Sequence, residues 1–224
     1  MKVSEKADID SVTFGSYCGT TTAVRGYQNY DISDQSILAL KNPTAQRSWT
    51  DTHSKAEFFQ NIYQSLEPSS YADFGCNLGY YVFWSAQRNV PSTGIDYNSE
   101  YVHLCNAIAA RHSIANAHFL HSNLENWCRT SRTVDLLTVF NVIHHLYDRT
   151  ETYRDMHKLL SDLAGRAHMI LIEFPTEKDN KGYKWTQHSN YSEQLFLDTA
   201  HQVFQSVVGY PGQTKHRPYY LCRV

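Results

Sequence analysis

The fold is decided by the stretch Asp73-Phe74-Gly75-Cys76-Asn77-Leu78-Gly79. A short apolar run beginning at Tyr71 leads into it, and a helical pattern from Tyr80 to about Arg88 follows it. Glycine lets a backbone turn sharply and approach a ligand closely, and Asn77 is of a residue type that tolerates a positive φ. The stretch therefore predicts a strand, a tight ligand-binding turn and a helix.

Strands and helices alternate from this turn to the end of the chain. The predicted strands are Tyr71 to Phe74, Thr93 to Asp96, Ala117 to His121, Val134 to Val139, His168 to Phe174, Phe204 to Val208 and Tyr219 to Cys222. The predicted helices are Ser54 to Leu66, Tyr80 to Arg88, Ser99 to His112, Glu151 to Ala164 and Ser192 to His201. This alternation favours an α/β fold with a mostly parallel sheet and helices on both faces. The last two strands are too close for a helical crossover, so the last strand should pair antiparallel.

A second ligand-binding signal is Thr93-Gly94-Ile95-Asp96, a strand that ends in an acid. In a doubly wound sheet, ligands bind outside the carboxyl ends of the strands. Asp96 is therefore placed to accept hydrogen bonds from ribose hydroxyls.

Together with Val134-Asp135-Leu136-Leu137 and Val142-Ile143-His144-His145-Leu146, these motifs resemble those of the class I S-adenosylmethionine (SAM)-dependent methyltransferases. The resemblance covers about residues 70 to 224 and implies that family's Rossmann-like, seven-stranded mixed sheet. A nicotinamide-binding Rossmann domain is the nearest alternative. It requires G-x-G-x-x-G, and the further glycines are missing at those offsets from Gly75.

The resemblance implies a SAM site, carried over position by position. The loop residues at the methionine end are Asp73, Gly75, Cys76, Asn77 and Gly79. Phe140 follows the fourth strand, where the family also contacts the methionine part. Cys76 has an alternative role, because a small side chain can be a packing requirement alone.

At the nucleoside end, the resemblance implies that Asp96 holds the ribose, with Tyr97 beside it. Asn123 stands where the family often has an Asp that accepts from the adenine amino group, and here the amide oxygen would accept instead. Leu124 would pack on the adenine ring, or it is an ordinary core residue.

His144 and His145 follow the fourth strand and are the candidate general bases. Methyl transfer from a sulfonium is an in-line displacement, so alignment of the reactants supplies much of the catalysis. A hydroxyl acceptor must also lose a proton, which a positioned base can take. His145 is slightly favoured by its position. Alternatively, one of the pair caps the following turn or packs on the cofactor. The other ten histidines show no metal-ligand spacing, so no metal is predicted.

Composition excludes several classes. The formal net charge of −2 lacks the basic footprint of a nucleic-acid-binding protein. No apolar run approaches the 18 or so residues of a membrane helix, and the start of the sequence has no apolar signal region. The five cysteines include no C-x-x-C pair, which is typical of a reduced, cytoplasmic protein.

The acceptor is predicted to be a hydroxyl of a small molecule or a carbohydrate. The run Val142 to Leu146 and the ending Arg217 to Arg223 resemble bacterial methyltransferases that act on sugars, polysaccharide ends and small hydroxylated metabolites. Some relatives methylate a terminal phosphate instead, and the cations for such a site would be Arg25, Lys41, Arg47, Lys55, Lys178, Lys181 and Lys184. RNA methylation and a non-catalytic SAM-binding module stay open as alternatives.

Two domains are expected. Residues 1–50 are polar and show little periodicity, which predicts an N-terminal appendage or lid, and residues 51–224 form the methyltransferase domain. The loop from Pro175 to Tyr191, with Tyr183, Trp185 and His188, is expected to join the lid over the acceptor.

Overall fold

The computed structural model describes residues 11–12, 30–31, 46–130, 133–147, 150–179 and 190–224, with side chains from residue 54 onward. Two short strands, β1 (Ser11–Val12) and β2 (Tyr30–Asp31), pair antiparallel. Seven further strands are β3 (Tyr71–Phe74), β4 (Ser92–Asp96), β5 (Ala117–His121), β6 (Val134–Phe140), β7 (Ala167–Glu173), β8 (Ser206–Tyr210) and β9 (Tyr219–Arg223). The helices are α1 (Gln46–Leu66), α2 (Tyr80–Ala86), α3 (Ser99–Arg111), α4 (Leu124–Cys128), α5 (Ile143–Leu146), α6 (Met156–Ala164) and α7 (Glu193–Val203).

The seven strands form one sheet in the order β5-β4-β3-β6-β7-β9-β8. The pairs β4–β5, β3–β6 and β6–β7 are parallel. β9 runs antiparallel to both β7 and β8 and lies between them. The predicted mostly parallel α/β sheet with an antiparallel last strand is confirmed. The short connection from β8 to β9 allows only a direct return of the chain, which explains the antiparallel pairing.

The chain divides into two compact units. The first comprises Met1–Pro68 and Cys76–His121. In it, α2 packs on β4, and α3 packs on β4 and β5. One face of α1 buries Phe59 and Tyr63 in an aromatic cluster, where the Phe59 ring lies 4.8 Å from that of Tyr81 and 5.5 Å from that of Trp84. The buried face of α1 and the aromatic residues of α2 thus pack together in one core.

The second unit comprises Ser69–Gly75 and Ser122–Val224. Its centre is β6, in which every residue from Leu136 to Phe140 is buried. A strand covered on both faces is expected to be apolar without alternation, and Thr138 is the polar residue in this run. α6 packs on β7 and on α7 through Met156, Leu159, Leu160 and Leu163.

Helix bounds differ from the sequence prediction by one or two residues in α2, α3 and α7, and by more at the starts of α1 and α6. α1 begins at Gln46, earlier than the predicted Ser54. α6 begins at Met156 and not at Glu151, because the Asp155 side chain accepts a hydrogen bond from the backbone N–H of His157 and caps the helix there. The short helices α4 and α5 were not predicted, since four or five residues show no measurable periodicity.

In the part of the chain that the structure describes, no helix combines the length and the hydrophobicity that a bilayer-spanning helix requires.

Candidate functional site

In the first unit, the turn from Cys76 to Gly79 is tied to the end of β4. The Cys76 N–H donates to the Ile95 carbonyl oxygen at 3.1 Å, and the Gly79 N–H donates to the Cys76 carbonyl oxygen at 2.9 Å. Asn77 has φ +52°, the left-handed conformation that its residue type predicted. The turn is therefore fixed by backbone hydrogen bonds.

Packing as well as turning requires glycine in this unit. Gly79 has φ +80°, and a Cβ there would lie 2.6 Å from the Phe119 ring. At Gly94, a Cβ would lie 2.8 Å from the Cys76 sulfur. Cys76 is fully buried, so its small side chain is explained by packing against Gly94. Contact of Cys76 with SAM stays a prediction.

Asp96 is held as an acceptor at the end of β4. Its side chain is 5% exposed, Oδ2 accepts from the Asn77 N–H at 2.8 Å, and Oδ1 accepts from the Asn98 N–H at 2.9 Å. Burial raises the pKa of Asp96, an effect that these backbone N–H groups oppose. A carboxylate has about four acceptor positions, so Asp96 has capacity left for the two hydroxyls of a ribose.

Tyr97 follows Asp96 and is 80% exposed, while Leu120 on β5 is 44% exposed. The Tyr97 carbonyl oxygen lies 2.9 Å from Nε2 of His121, which fixes the backbone beneath the ring. An exposed aromatic ring next to a carboxylate is a suitable surface for a nucleoside. The predicted residues Cys76, Asn77, Gly79 and Asp96 are thus brought together within this unit, and Tyr97 lies at their edge.

In the second unit, β3 ends in a buried acid and a left-handed glycine. Asp73 is 2% exposed, and its Oδ1 accepts from the Thr138 hydroxyl at 2.7 Å. Gly75 has φ +79°, and a Cβ there would lie 2.5 Å from Cγ2 of Val142. The segment after β3 therefore passes too close to the segment after β6 for any side chain at Gly75.

Asn123 and Leu124 take local roles at the start of α4. The Asn123 Oδ1 accepts from the Asn126 N–H at 2.8 Å and caps the helix. This is the oxygen that the sequence assigns to the adenine amino group, and its second lone pair remains for such a contact. Leu124 is 1% exposed and lies in the core. Adenine contacts for both residues stay predictions.

Phe140 is the last residue of β6, whereas the sequence placed it just after the strand, and the two histidines follow on α5. The Phe140 ring is buried and meets the Tyr219 ring edge-on at 5.9 Å. His144 is buried and His145 is exposed, and their ring centroids are 4.0 Å apart. An exposed imidazole is accessible to an acceptor from solvent, so the burial of the two rings favours His145 over His144 as a base.

The sequence did not predict a polar cluster beside this segment. Arg217 Nε donates to Oδ2 of Asp179 at 2.7 Å, and Arg217 Nη1 donates to Oδ1 of Asn141 at 3.3 Å. Asn141 has φ +58°, and the Asp179 side chain is 4% exposed. The cluster connects Asn141, which follows β6, and Asp179, which follows β7, to Arg217, which lies two residues before β9. Its one sequence signal was Arg217 in the C-terminal motif.

Much of the predicted acceptor site lies outside the described residues. This applies to Arg25, Lys41, Lys181, Lys184, Tyr183, Trp185 and His188, to most of residues 1–50, and to the side chain of Arg47. Of the remaining cations, Lys178 is exposed and Lys55 is partly exposed. Within the described part of the chain, no group of three or more His, Cys, Asp or Glu residues is arranged to hold a metal ion.

Comparison with known proteins finds similarity over part of the chain. A family described as "Methyltransferase domain" matches residues 72–162. The O-antigen chain terminator bifunctional methyltransferase/kinase WbdD of Escherichia coli is 26% identical over 129 residues, which is 55% of this chain and 18% of that protein. The match therefore spans less than a fifth of the relative's length.

Solved structures agree with this assignment of the fold. WbdD superposes with a TM-score of 0.59 at 21% identity, covering 75% of this chain and 38% of that chain. The N-terminal domain of EvdMO1 with SAH bound has a TM-score of 0.62 at 10% identity, covering 81% and 86% of the two chains. Magnesium protoporphyrin IX methyltransferase (ChlM) from Synechocystis PCC 6803 with bound SAM has a TM-score of 0.58 at 16% identity, covering 82% and 87%.

Proposed function

Because the chain carries a class I SAM-dependent methyltransferase domain, we propose that it transfers a methyl group from SAM to a hydroxyl of a carbohydrate or small molecule. The observation that supports the hydroxyl assignment is the exposed His145 ring on α5, the helix that follows the carboxyl end of β6. Ligands of such sheets bind beyond the carboxyl ends of the strands. His145 is therefore placed to take the proton that a hydroxyl acceptor loses.

Each unit supplies residues whose chemistry suits a different part of SAM. In the first unit, the Asp96 carboxylate is fixed by two backbone N–H groups and accepts from the ribose hydroxyls, while the exposed Tyr97 ring covers the nucleoside. In the second unit, Asp73 accepts from the amino group of the methionine end. Gly75 adopts the left-handed conformation that turns the backbone sharply after β3.

When bound, SAM supplies an electrophilic methyl group on a sulfonium. The chain's own contribution is orientation of the reactants and removal of the acceptor proton. His145 Nδ1 or Nε2 takes that proton, and the buried His144 ring, packed at 4.0 Å, restricts the movement of His145. A positioned base of this kind contributes roughly 10²–10⁴-fold to the rate.

A carbohydrate acceptor is supported by the similarity to WbdD, which is named as an O-antigen chain terminator. The low charge of the chain also supports a neutral acceptor over RNA, whose binding depends on phosphate contacts from Lys and Arg.

The test is methyl transfer by the full chain. The protein would be incubated with isotopically labelled SAM and separate panels of neutral glycans, phosphate-ended glycans, hydroxylated metabolites and single-stranded RNA, and products would be identified by mass spectrometry. A labelled methyl ether at the oxygen of a former hydroxyl supports the proposal. Label exclusively on phosphate or RNA overturns the acceptor assignment in favour of those alternatives, and failure to bind S-adenosylhomocysteine overturns the enzyme.

The base is tested separately, with exposed His157 on α6 as the matched control. His145→Ala should lower kcat by about 10²–10⁴-fold with little change in S-adenosylhomocysteine affinity. His157→Ala should behave as wild type. Near-normal turnover of His145→Ala at saturating acceptor would remove His145 from this role.

A further inference from the structure

A buried chain of hydroxyl groups ends on the Asp73 carboxyl. Tyr71 Oη lies 2.5 Å from Thr138 Oγ1, and Thr138 Oγ1 lies 2.7 Å from Asp73 Oδ1. The parallel register sets Asp73 opposite Thr138, and Tyr71 precedes Asp73 by two residues on β3, so the three side chains share a face of the sheet. Tyr71 and Thr138 have no exposed surface.

The number of hydrogens that these groups can donate determines the direction of the hydrogen bonds between them. An ionised carboxylate only accepts, and each hydroxyl has a single hydrogen to donate. The Thr138 hydroxyl also lies 3.4 Å from the Ala72 carbonyl oxygen, but its contact with Asp73 Oδ1 is much shorter, at 2.7 Å, and is therefore the stronger one. Thr138 therefore donates to Asp73, and its oxygen accepts the hydrogen of Tyr71.

We infer that Thr138 and Tyr71 are positioning residues for cofactor binding. Thr138 holds the Asp73 carboxyl in one orientation, and Tyr71 holds the Thr138 hydroxyl in the rotamer that donates to it. This inference rests on the proposed role of Asp73 at the methionine end of SAM. Thr138 interrupts the apolar run of β6 for this reason, since a valine of the same shape would pack equally well there.

The first unit offers a matched control, because it contains a second row of hydrogen-bonded hydroxyl groups that begins at a tyrosine and ends on a backbone carbonyl oxygen. Tyr63 Oη lies 2.6 Å from Ser85 Oγ, and Ser92 Oγ donates to Ser85 Oγ at 2.8 Å. Ser92 Oγ also lies 2.8 Å from the Val90 carbonyl oxygen. Tyr63→Phe thus removes a buried tyrosine hydroxyl, as Tyr71→Phe does, from a network in which these contacts are to hydroxyl groups and a backbone carbonyl oxygen.

The experiment measures S-adenosylhomocysteine affinity by calorimetry and stability by urea unfolding. Thr138→Val should weaken binding by about tenfold, the effect of one hydrogen bond. Tyr71→Phe should weaken it by roughly threefold, because it acts through Thr138. Thr138→Ser keeps the hydroxyl and should bind as wild type. Tyr63→Phe should lower stability without changing affinity.

Asp73→Ala separates this inference from the assignment beneath it. If Asp73→Ala binds S-adenosylhomocysteine as wild type, the proposed role of Asp73 fails. If Asp73→Ala binds weakly while folded Thr138→Val and Tyr71→Phe bind as wild type, the positioning role alone is overturned. In the Asp73→Ala background, Thr138→Val should cause no further loss of affinity. Should Thr138→Val unfold, Tyr71→Phe and Thr138→Ser decide the question.

Discussion

Replacement of Gly75 by alanine tests how closely the segments after β3 and β6 approach each other. The new Cβ would lie 2.5 Å from Cγ2 of Val142, and the backbone would keep φ +79°. Left-handed backbone costs an L-residue about 1–2 kcal/mol, and an extra methyl group in packed surroundings costs about 1–3 kcal/mol. Gly75→Ala should therefore lower the free energy of unfolding by about 2–5 kcal/mol.

A second substitution divides this cost between its two causes. Val142→Ala removes the atom that a Cβ at Gly75 would meet. In the double variant the steric cost should disappear, and about 1–2 kcal/mol of backbone strain should remain relative to Val142→Ala alone. The coupling between the two positions should therefore be favourable by about 1–3 kcal/mol.

Urea unfolding of the four proteins measures these quantities, with the slope against urea checked for a common two-state transition. S-adenosylhomocysteine affinity measured alongside should fall in Gly75→Ala, since the strained turn moves the neighbouring Asp73. The reasoning is refuted if Gly75→Ala stays within about 0.5 kcal/mol of wild type, or if Val142→Ala recovers none of the loss.

Three other predictions follow from the same residues. Burial raises the pKa of Asp96, and ribose hydroxyls bind the ionised carboxylate, so S-adenosylhomocysteine affinity should fall as the pH decreases through that raised pKa. In Asp96→Asn the affinity should not change with pH over the same range. An equally steep pH dependence in Asp96→Asn would contradict the assignment. Arg217→Ala leaves the buried Asp179 carboxylate without its ion-pair partner and should lower the free energy of unfolding in urea by about 3–5 kcal/mol. Adding Asp179→Leu should recover part of this stability. A larger loss of stability in the double variant would count against the ion pair. Burial raises the pKa of Cys222 to about 12 and that of Cys128 to about 11. A thiol reagent at neutral pH should therefore label neither cysteine appreciably until the protein is unfolded in urea. Fast labelling of either cysteine in native buffer would contradict this prediction.

The turn after β3 shows why some features of the candidate site could be predicted from the sequence. Asn77 and Gly79 adopt positive φ, and such backbone preferences are properties of single residues. Asp96 was predicted because its place at the end of an apolar run is a local pattern. The strands were placed to within one or two residues for the same reason, since short apolar runs bounded by turns are typical of buried strands.

Other parts of the site depend on residues that are distant in sequence. Thr138 reaches Asp73 across 65 residues and Arg217 reaches Asp179 across 38, and no local pattern of sequence identifies the partner of either residue. A threonine inside the apolar run of β6 was the one available signal for the first. Likewise, the sequence ranked His144 and His145 by position, whereas their different exposure depends on how the segment after β6 packs.

The sequence by itself determined the class of fold, the left-handed turn after β3 and the acid at the end of β4, because each depends on neighbouring residues and on backbone sterics. The tertiary structure alone decided which polar side chains hold those residues in place. It set Thr138 beside Asp73 through the register of two strands, and it explained the bare Gly75 by the Val142 side chain opposite it. Such contacts are made only when separate segments pack, so their physical cause is absent from any local stretch of sequence.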